Sequence, residues 1–168
     1  MNGWRIILPK FGTVKELHDA NSYASRLYNY MNEKNQIEWV INRLKEKKYT
    51  CSATITTFEP LTDEKYIPCV SLIDFYVENE KLNMYIYCRS LDFGSKAYVN
   101  LVMLYNILKQ VSEAVKLEIG NMNLTVKSAH IYEKDVIVML RLPPFDNVAI
   151  NKSGLTISTS PFFSIAEA

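Results

Sequence analysis

A proline and a cysteine, Pro68-Cys69, stand at the head of the stretch IPCVSLIDFYVENEKLNMYIYCRS, and Arg89 and Ser90 close it. A cysteine attacks as its thiolate, and a nearby guanidinium favours that form while offering a fork for an anion. A cysteine in a sheet is more often inert filler, so Cys69 draws interest through its company. Arg89, Ser90 and Asp92 form RSLD, which reads as a polar strand end or as an anion or nucleotide clamp. Asn100 follows. It is either a solvated helix residue or a side chain whose donor and acceptor match an amide edge such as O4 and N3–H of uracil. His130 and Tyr132, two apart in SAHIY, share one face of a strand. They are either a half-buried pair or donors to a sugar hydroxyl. His18 reads as a solvated residue of an N-terminal helix.

These residues need elements to position them. VSLIDFYV and LNMYIYC alternate as strands around NEK, a hairpin signal. A two-residue turn at Asn79-Glu80 sets Cys69 opposite Ser90; a three-residue turn sets it opposite Arg89. Either way the hairpin ends bring thiol, hydroxyl and guanidinium together. Residues 95 to 117 are expected to form a long helix with Ala97, Leu101, Leu104, Leu108, Val111 and Val115 as its apolar stripe and Asn100 beside it. Upstream, WRIIL reads as a short strand and residues 13 to 31 as helix, with Thr13 as N-cap. Residues 34 to 47 are a firmer helix through Ile37, Val40, Ile41 and Leu44, its RLKEKK end exposed. TCSATITTF reads as a strand and EPLTDEKYIP as a loop. LTVKSAHIY and VIVMLRL read as further strands joined by EKD, and LTIST as a strand in a polar tail.

The bulk numbers bound the function. The chain has 168 residues, 48% hydrophobic and 22% charged, which fits one folded domain burying roughly 70% of its unfolded surface. A net charge of +1 argues against a broad nucleic-acid footprint, and no basic-aromatic RNA-binding motif appears among the tyrosines. No apolar run reaches about 18 residues, so no membrane partner is expected. MNGWRIILPKFG is too short in apolar core for a signal peptide. Three cysteines without CxxC spacing suggest reduced thiols and a cytoplasmic protein. Two histidines without ligand spacing argue against a metal site.

The run from Pro68-Cys69 through FYVENEKL to RSLD and Asn100, followed by SAHIYE, resembles thymidylate synthase, above all its shorter archaeal forms. YASRLYNYM, with the downstream Gln36, Val40-Ile41 and Leu44, is similar to a conserved-spacing segment of that family, and TITTFEP to its ITTWxP strand. The resemblance spans roughly residues 22 to 135 of a single domain covering 1 to 168, whose tail from 143 diverges. It implies an α+β sandwich, a large mixed sheet packed with helices, and a homodimer joined back to back through sheets. It implies that Cys69 adds to C6 of a pyrimidine and that Arg89 contacts both this cysteine and a phosphate. Ser90 would bind phosphate, and Asp92 the pyrimidine and the folate. Asn100 would read the base edge, and His130 and Tyr132 would hold the deoxyribose 3′-hydroxyl. The implied cofactor is 5,10-methylenetetrahydrofolate.

The departures from the family pattern are specific. Cys51 and Ser52 stand where an arginine pair reaches a neighbouring subunit's phosphate. Val70 replaces a histidine, Cys88 a glutamine, and FGSKAYV a glycine-bearing loop. Glu16 and Glu59 are candidates for the missing proton-transferring carboxylate, and Lys96 or Lys48 for a new cation across a dimer. The expected activity is therefore methyl or hydroxymethyl transfer to C5 of a uracil-type nucleotide or nucleoside, with ordinary dUMP less favoured than a different nucleotide, nucleoside or nucleotide-sugar. The alternatives are a binding protein that keeps the fold without turnover and a folate-independent reaction at C5.

Overall fold

The structure is a computed structural model that describes residues 22–139 and the strands Leu155–Thr159 and Phe163–Ala166. WRIIL, Thr13, Glu16 and His18 lie outside the described residues. In chain order the elements are α1 (Tyr23–Tyr28), α2 (Gln36–Glu46), β1 (Ala53–Thr56), β2 (Val70–Glu78), β3 (Lys81–Cys88), β4 (Leu91–Asp92), α3 (Ala97–Val115), β5 (Glu118–Val126), β6 (Ala129–Tyr132), α4 (Glu133–Met139), β7 (Leu155–Thr159) and β8 (Phe163–Ala166). The strands form two sheets, one ordered β1-β2-β3-β5-β7 and one ordered β4-β6-β8. The larger is mixed: β1, β2 and β3 pair antiparallel, while β3–β5 and β5–β7 pair parallel. Helices with a mixed sheet make this an α+β fold, as expected.

The core follows from alternation. Ile55, Ile73, Ile86 and Leu124 are register partners across four strands, and all are buried. Ala53, Phe75, Met84 and Met122 form the next buried row. Against these rows pack Ile37, Val40 and Leu44 of α2 and Leu104, Ile107, Leu108 and Val111 of α3. Helical spacing in one layer thus meets two-residue spacing in the other. α3 also supplies the long crossover that a parallel β3–β5 pair requires.

Three sequence expectations change. Among the described residues the N-terminal helix runs only from Tyr23 to Tyr28, with Ser22 as its N-cap. It does not reach Met31, since Met31 and Asn32 take left-handed φ angles of 52° and 61°. The expected part from 13 to 21 lies outside the described residues. LTVKSAHIY is not one strand. Its first half extends β5 and its second is β6, in the other sheet, with Lys127 and Ser128 as the corner. Residues Val136 to Met139 of VIVMLRL are helical, part of α4, not a strand. Residues 140 to 142 of that run lie outside the described residues.

Candidate active site

The hairpin turn is the two-residue one. Asn79 and Glu80 both have positive φ, 50° and 61°, and Glu78 pairs with Lys81. That is the mirror-image turn whose twist suits a right-handed hairpin. The register then slips by one residue at Ser71: Leu72 faces Tyr87, but Val70 faces Cys88. Ser71 is a bulge, and its carbonyl accepts from Thr56 Oγ1 at 2.9 Å and from Thr57 N at 3.2 Å. The slip carries Cys69 past Ser90 to face Arg89, whose N–H donates to the Cys69 carbonyl at 2.7 Å. The Cys69 thiol still meets Ser90, whose hydroxyl donates to Sγ at 3.4 Å. Both sequence alternatives are thereby half realised, one by backbone and one by side chain.

Arg89 turns back along the chain. Nη2 donates to the Ile67 carbonyl at 2.8 Å and Nε to the Pro68 carbonyl at 3.5 Å. It therefore braces the approach to Cys69. Tyr23, at the start of α1, adds a third side: its hydroxyl accepts from Val70 N at 3.0 Å. Burial pushes the Tyr23 phenol well above its ordinary pKa. The Val70 amide pulls the other way, and the neighbouring Cys69 adds to the push. Cys88 is fully buried, and burial, then the proximity of Cys69, pushes its thiol up to about 12. Cys69 is only partly buried, and all three thiols are free.

The second half of the site hangs on the smaller sheet. Asp92 in β4 is the register partner of His130 in β6, and Phe93 N donates to the His130 carbonyl at 2.8 Å. Asp92 is 6% exposed, and its Oδ1 accepts from Gly94 N at 3.0 Å. His130 and Tyr132 meet edge to face with ring centroids 5.0 Å apart, and His130 Nδ1 lies 3.4 Å from the Ser128 carbonyl. Asn100 is tied to Asp92 through backbone. Lys96 N donates to the Asp92 carbonyl and Asn100 N to the Lys96 carbonyl, each at 3.1 Å. Both halves leave the C-terminal end of β3 within five residues, Cys88 to Asp92. That is how the fold gathers them.

Other candidates fall elsewhere. Glu59 is buried, its carboxylate facing Thr62 Oγ1 at 3.3 Å and Arg26 Nη1 at 4.0 Å. Lys48 pairs with Glu80 at the hairpin turn, the opposite end from Cys69. Cys51 is exposed just before β1. Among the described residues no group of three His, Cys, Asp or Glu side chains could hold a metal ion, and no helix is long and apolar enough to cross a membrane. Residue-by-residue reading gave no role to Tyr23, Arg26 or Thr57. The one available signal was that Tyr23 and Arg26 stand three apart in a family-like segment.

Comparison with known proteins identifies the family. The family model described as thymidylate synthase matches residues 9–142. A protein of Methanosarcina mazei named "Putative thymidylate synthase" is 39% identical over 116 residues, 68% of this chain and 54% of its own length. The protein of that name from Methanosarcina acetivorans is 36% identical over the same shares. The thymidylate synthase of Mycoplasma genitalium is 29% identical over 125 residues, 73% of this chain and 44% of its own. The chain thus spans about half the length of these relatives. A match over most of its residues, with the Pro-Cys thiol and the RSLD strand end meeting in space, makes the chain a member of the thymidylate synthase family.

Proposed function

We propose that this protein modifies C5 of a uracil-type pyrimidine nucleotide or nucleoside by methyl or hydroxymethyl transfer, through a covalent adduct between Cys69 and C6. The observation that carries the reading is the contact of the half-buried Cys69 thiol with Ser90, where the start of β2 lies beside the end of β3, in a chain of this family. C5 of a pyrimidine is a poor nucleophile. Addition of a thiolate at C6 moves electron density to C5 and O4, so that C5 attacks a one-carbon electrophile. Asn100, with one donor and one acceptor, would meet N3–H and the charge developing on O4. Arg89 and Ser90 would hold a phosphate, and His130 and Tyr132 a sugar hydroxyl. These remote contacts supply orientation.

Asp92 fits the expected cofactor. Its buried carboxylate uses Oδ1 for Gly94 N and retains acceptor capacity for N–H donors of a pterin or of the base. Methylenetetrahydrofolate would supply the one-carbon unit and, for a methyl product, the hydride that reduces it, leaving as dihydrofolate. For a hydroxymethyl product, water would complete the transferred group and tetrahydrofolate would leave. A second copy of the chain is the proposed partner. Leu72, Tyr85 and Tyr87 are 36–39% exposed in two adjacent rows on the outer face of the larger sheet, which suits a back-to-back homodimer.

The test is release of tritium from C5 of [5-³H]uracil- and cytosine-containing nucleosides and nucleotides, with and without methylenetetrahydrofolate. Wild type should release tritium from one of them, and Cys69→Ser should fall by about a thousandfold or more. Release that persists in Cys69→Ser would end the covalent reading. Release from the right compound without folate would remove the cofactor from it.

A further inference from the structure

The peptide unit that follows Cys69 is held at both poles. Its carbonyl accepts from Arg89 N at 2.7 Å, and its N–H, that of Val70, donates to Tyr23 at 3.0 Å. The next carbonyl, that of Val70, accepts from the hydroxyl of Thr57. Thr57 is fully buried, and its own carbonyl accepts from Arg26 Nη1 at 2.7 Å. Tyr23 and Arg26 lie one turn apart on α1, so a ring closes: Tyr23, Val70, Thr57, Arg26 and back along the helix. Asp63 fixes the cation in that ring. Its two carboxylate oxygens take Nη1 and Nη2 of Arg26 at 2.7 Å each, and Arg26 is only 2% exposed.

A buried ion pair of this kind is weak evidence for stability, since well-packed apolar residues often serve as well. A planar guanidinium does what an apolar residue cannot: it grips a carboxylate and a carbonyl at once. Here the two grips tie α1 to both ends of the loop segment 57–63. That loop leads to Cys69.

We infer that Arg26, oriented by Asp63, is a positioning residue for the Cys69 thiol, acting through Thr57 and the Val70 peptide. The catalytic meaning of that positioning, though not the positioning itself, rests on Cys69 being the nucleophile. Arg26 acts at a distance. By fixing the backbone on the C-terminal side of Cys69 it holds the Cα–Cβ direction that keeps Sγ beside Ser90. Reactive geometry of this kind is lost with small displacements.

The experiment is peptide-resolved alkylation of the intact chain by iodoacetamide, with the exposed Cys51 as internal reference. The variants are Asp63→Asn, Thr57→Val, which removes the hydroxyl while keeping shape, and Thr57→Ser, which restores it. Leu108→Ala serves as a core variant that loosens α3 without touching the ring. The expected result is a Cys69:Cys51 ratio about fivefold lower in Asp63→Asn and Thr57→Val, the weight of one neutral hydrogen bond. Thr57→Ser should return to the wild-type ratio and Leu108→Ala should keep it. An unchanged or raised ratio in the first two, or an equal fall in Leu108→Ala, overturns the inference. If Asp63→Asn does not fold, Thr57→Val decides. Tritium release measured alongside separates the two claims. Cys69-dependent release with an unresponsive ratio overturns the positioning alone. A responsive ratio without release from any compound overturns the nucleophile reading and leaves the positioning standing.

Discussion

Cys69 hangs from a sheet of strands four to nine residues long, whereas Asp92, His130 and Tyr132 hang from one whose strands have two to four. Around Cys69 the backbone is bonded to three residues from three different segments: the buried Thr57 and the partly buried Tyr23 and Arg89. On the smaller sheet the two rings touch each other edge to face and are only partly buried. The difference fits the two tasks proposed for them. A bond-forming atom needs one geometry, while groups that recognise a ligand gain from settling when it arrives.

Breaking the Arg26–Asp63 pair should have the largest effect. Asp63→Ala removes the bidentate partner of a buried cation, leaving the more distant Glu59 carboxylate, and should cost about 3 kcal/mol in urea unfolding. The same pair gives a pH signature. Burial raises the Asp63 pKa, but the hydrogen bonds from Arg26 and Glu59 N and the charge of Arg26 outweigh it, leaving the value below the ordinary carboxylate range. The pair's stability is therefore present above the unfolded-state pKa, near 4, and is lost as pH falls through the lower folded value. Asp63→Asn should flatten that acid limb of the stability curve. If wild type and variant lose stability in parallel below pH 4, the pair contributes nothing there.

Two glycines sharpen the contrast between sheets. A Cβ on Gly120, in the larger sheet, would stand 2.4 Å from Asn83 Oδ1, which also accepts from Asn121 N at 2.7 Å. Gly120→Ala should cost about 1–3 kcal/mol. A Cβ on Gly94 would meet Asp135 Cβ at 2.9 Å and Ile131 Cγ2 at 3.0 Å, both at the smaller sheet and α4. Asp135 Cβ is fixed to its own backbone, so α4 must shift as a unit. If the smaller sheet is the looser one, Gly94→Ala should cost about 1 kcal/mol or less. Equal losses in thermal unfolding would mean that the two sheets are equally rigid. Tyr132→Phe should weaken binding of the nucleoside that proves to be the substrate by about tenfold while leaving the melting temperature unchanged. A stability loss instead would make Tyr132 part of the scaffold. Smallest is Glu80→Gly. A side chain at φ 61° is strained, and glycine should gain about 0.5 kcal/mol despite losing the contacts to Lys48 and Tyr49. A net loss in chemical denaturation would show that those contacts outweigh the strain.

Local pattern was enough for much of this. The Asn79-Glu80 turn, the α2 stripe and the α3 stripe were readable because each is decided by neighbours in sequence. The bulge was not. Ser71 looks like any strand residue, and what fixes it is a pair of donors at the end of β1 and just beyond it, Thr56 Oγ1 and Thr57 N, fifteen residues or so away. Val136 to Val138 are β-branched and read as strand, yet they are helical, a tertiary override of propensity. The small sheet hid for a related reason: no glycine or proline marks the corner at Lys127-Ser128. The meeting of Cys69 and Ser90 was legible from the hairpin alone. The ring behind it was not, since Tyr23 and Val70 are 47 positions apart.

The amide of Val70 has a consequence for solvent exchange. It lies next to a partly exposed residue, where backbone protons ordinarily trade quickly with water, but it donates to the Tyr23 hydroxyl and sits in a residue 1% exposed. A deuterium-exchange map should therefore register the Cys69 end of the hairpin as a cold spot, slower than the hairpin's own turn. Val70 should release its proton only when α1 lifts away from the sheet. In such a map the clock on that one amide reports how often the thiol's support comes undone.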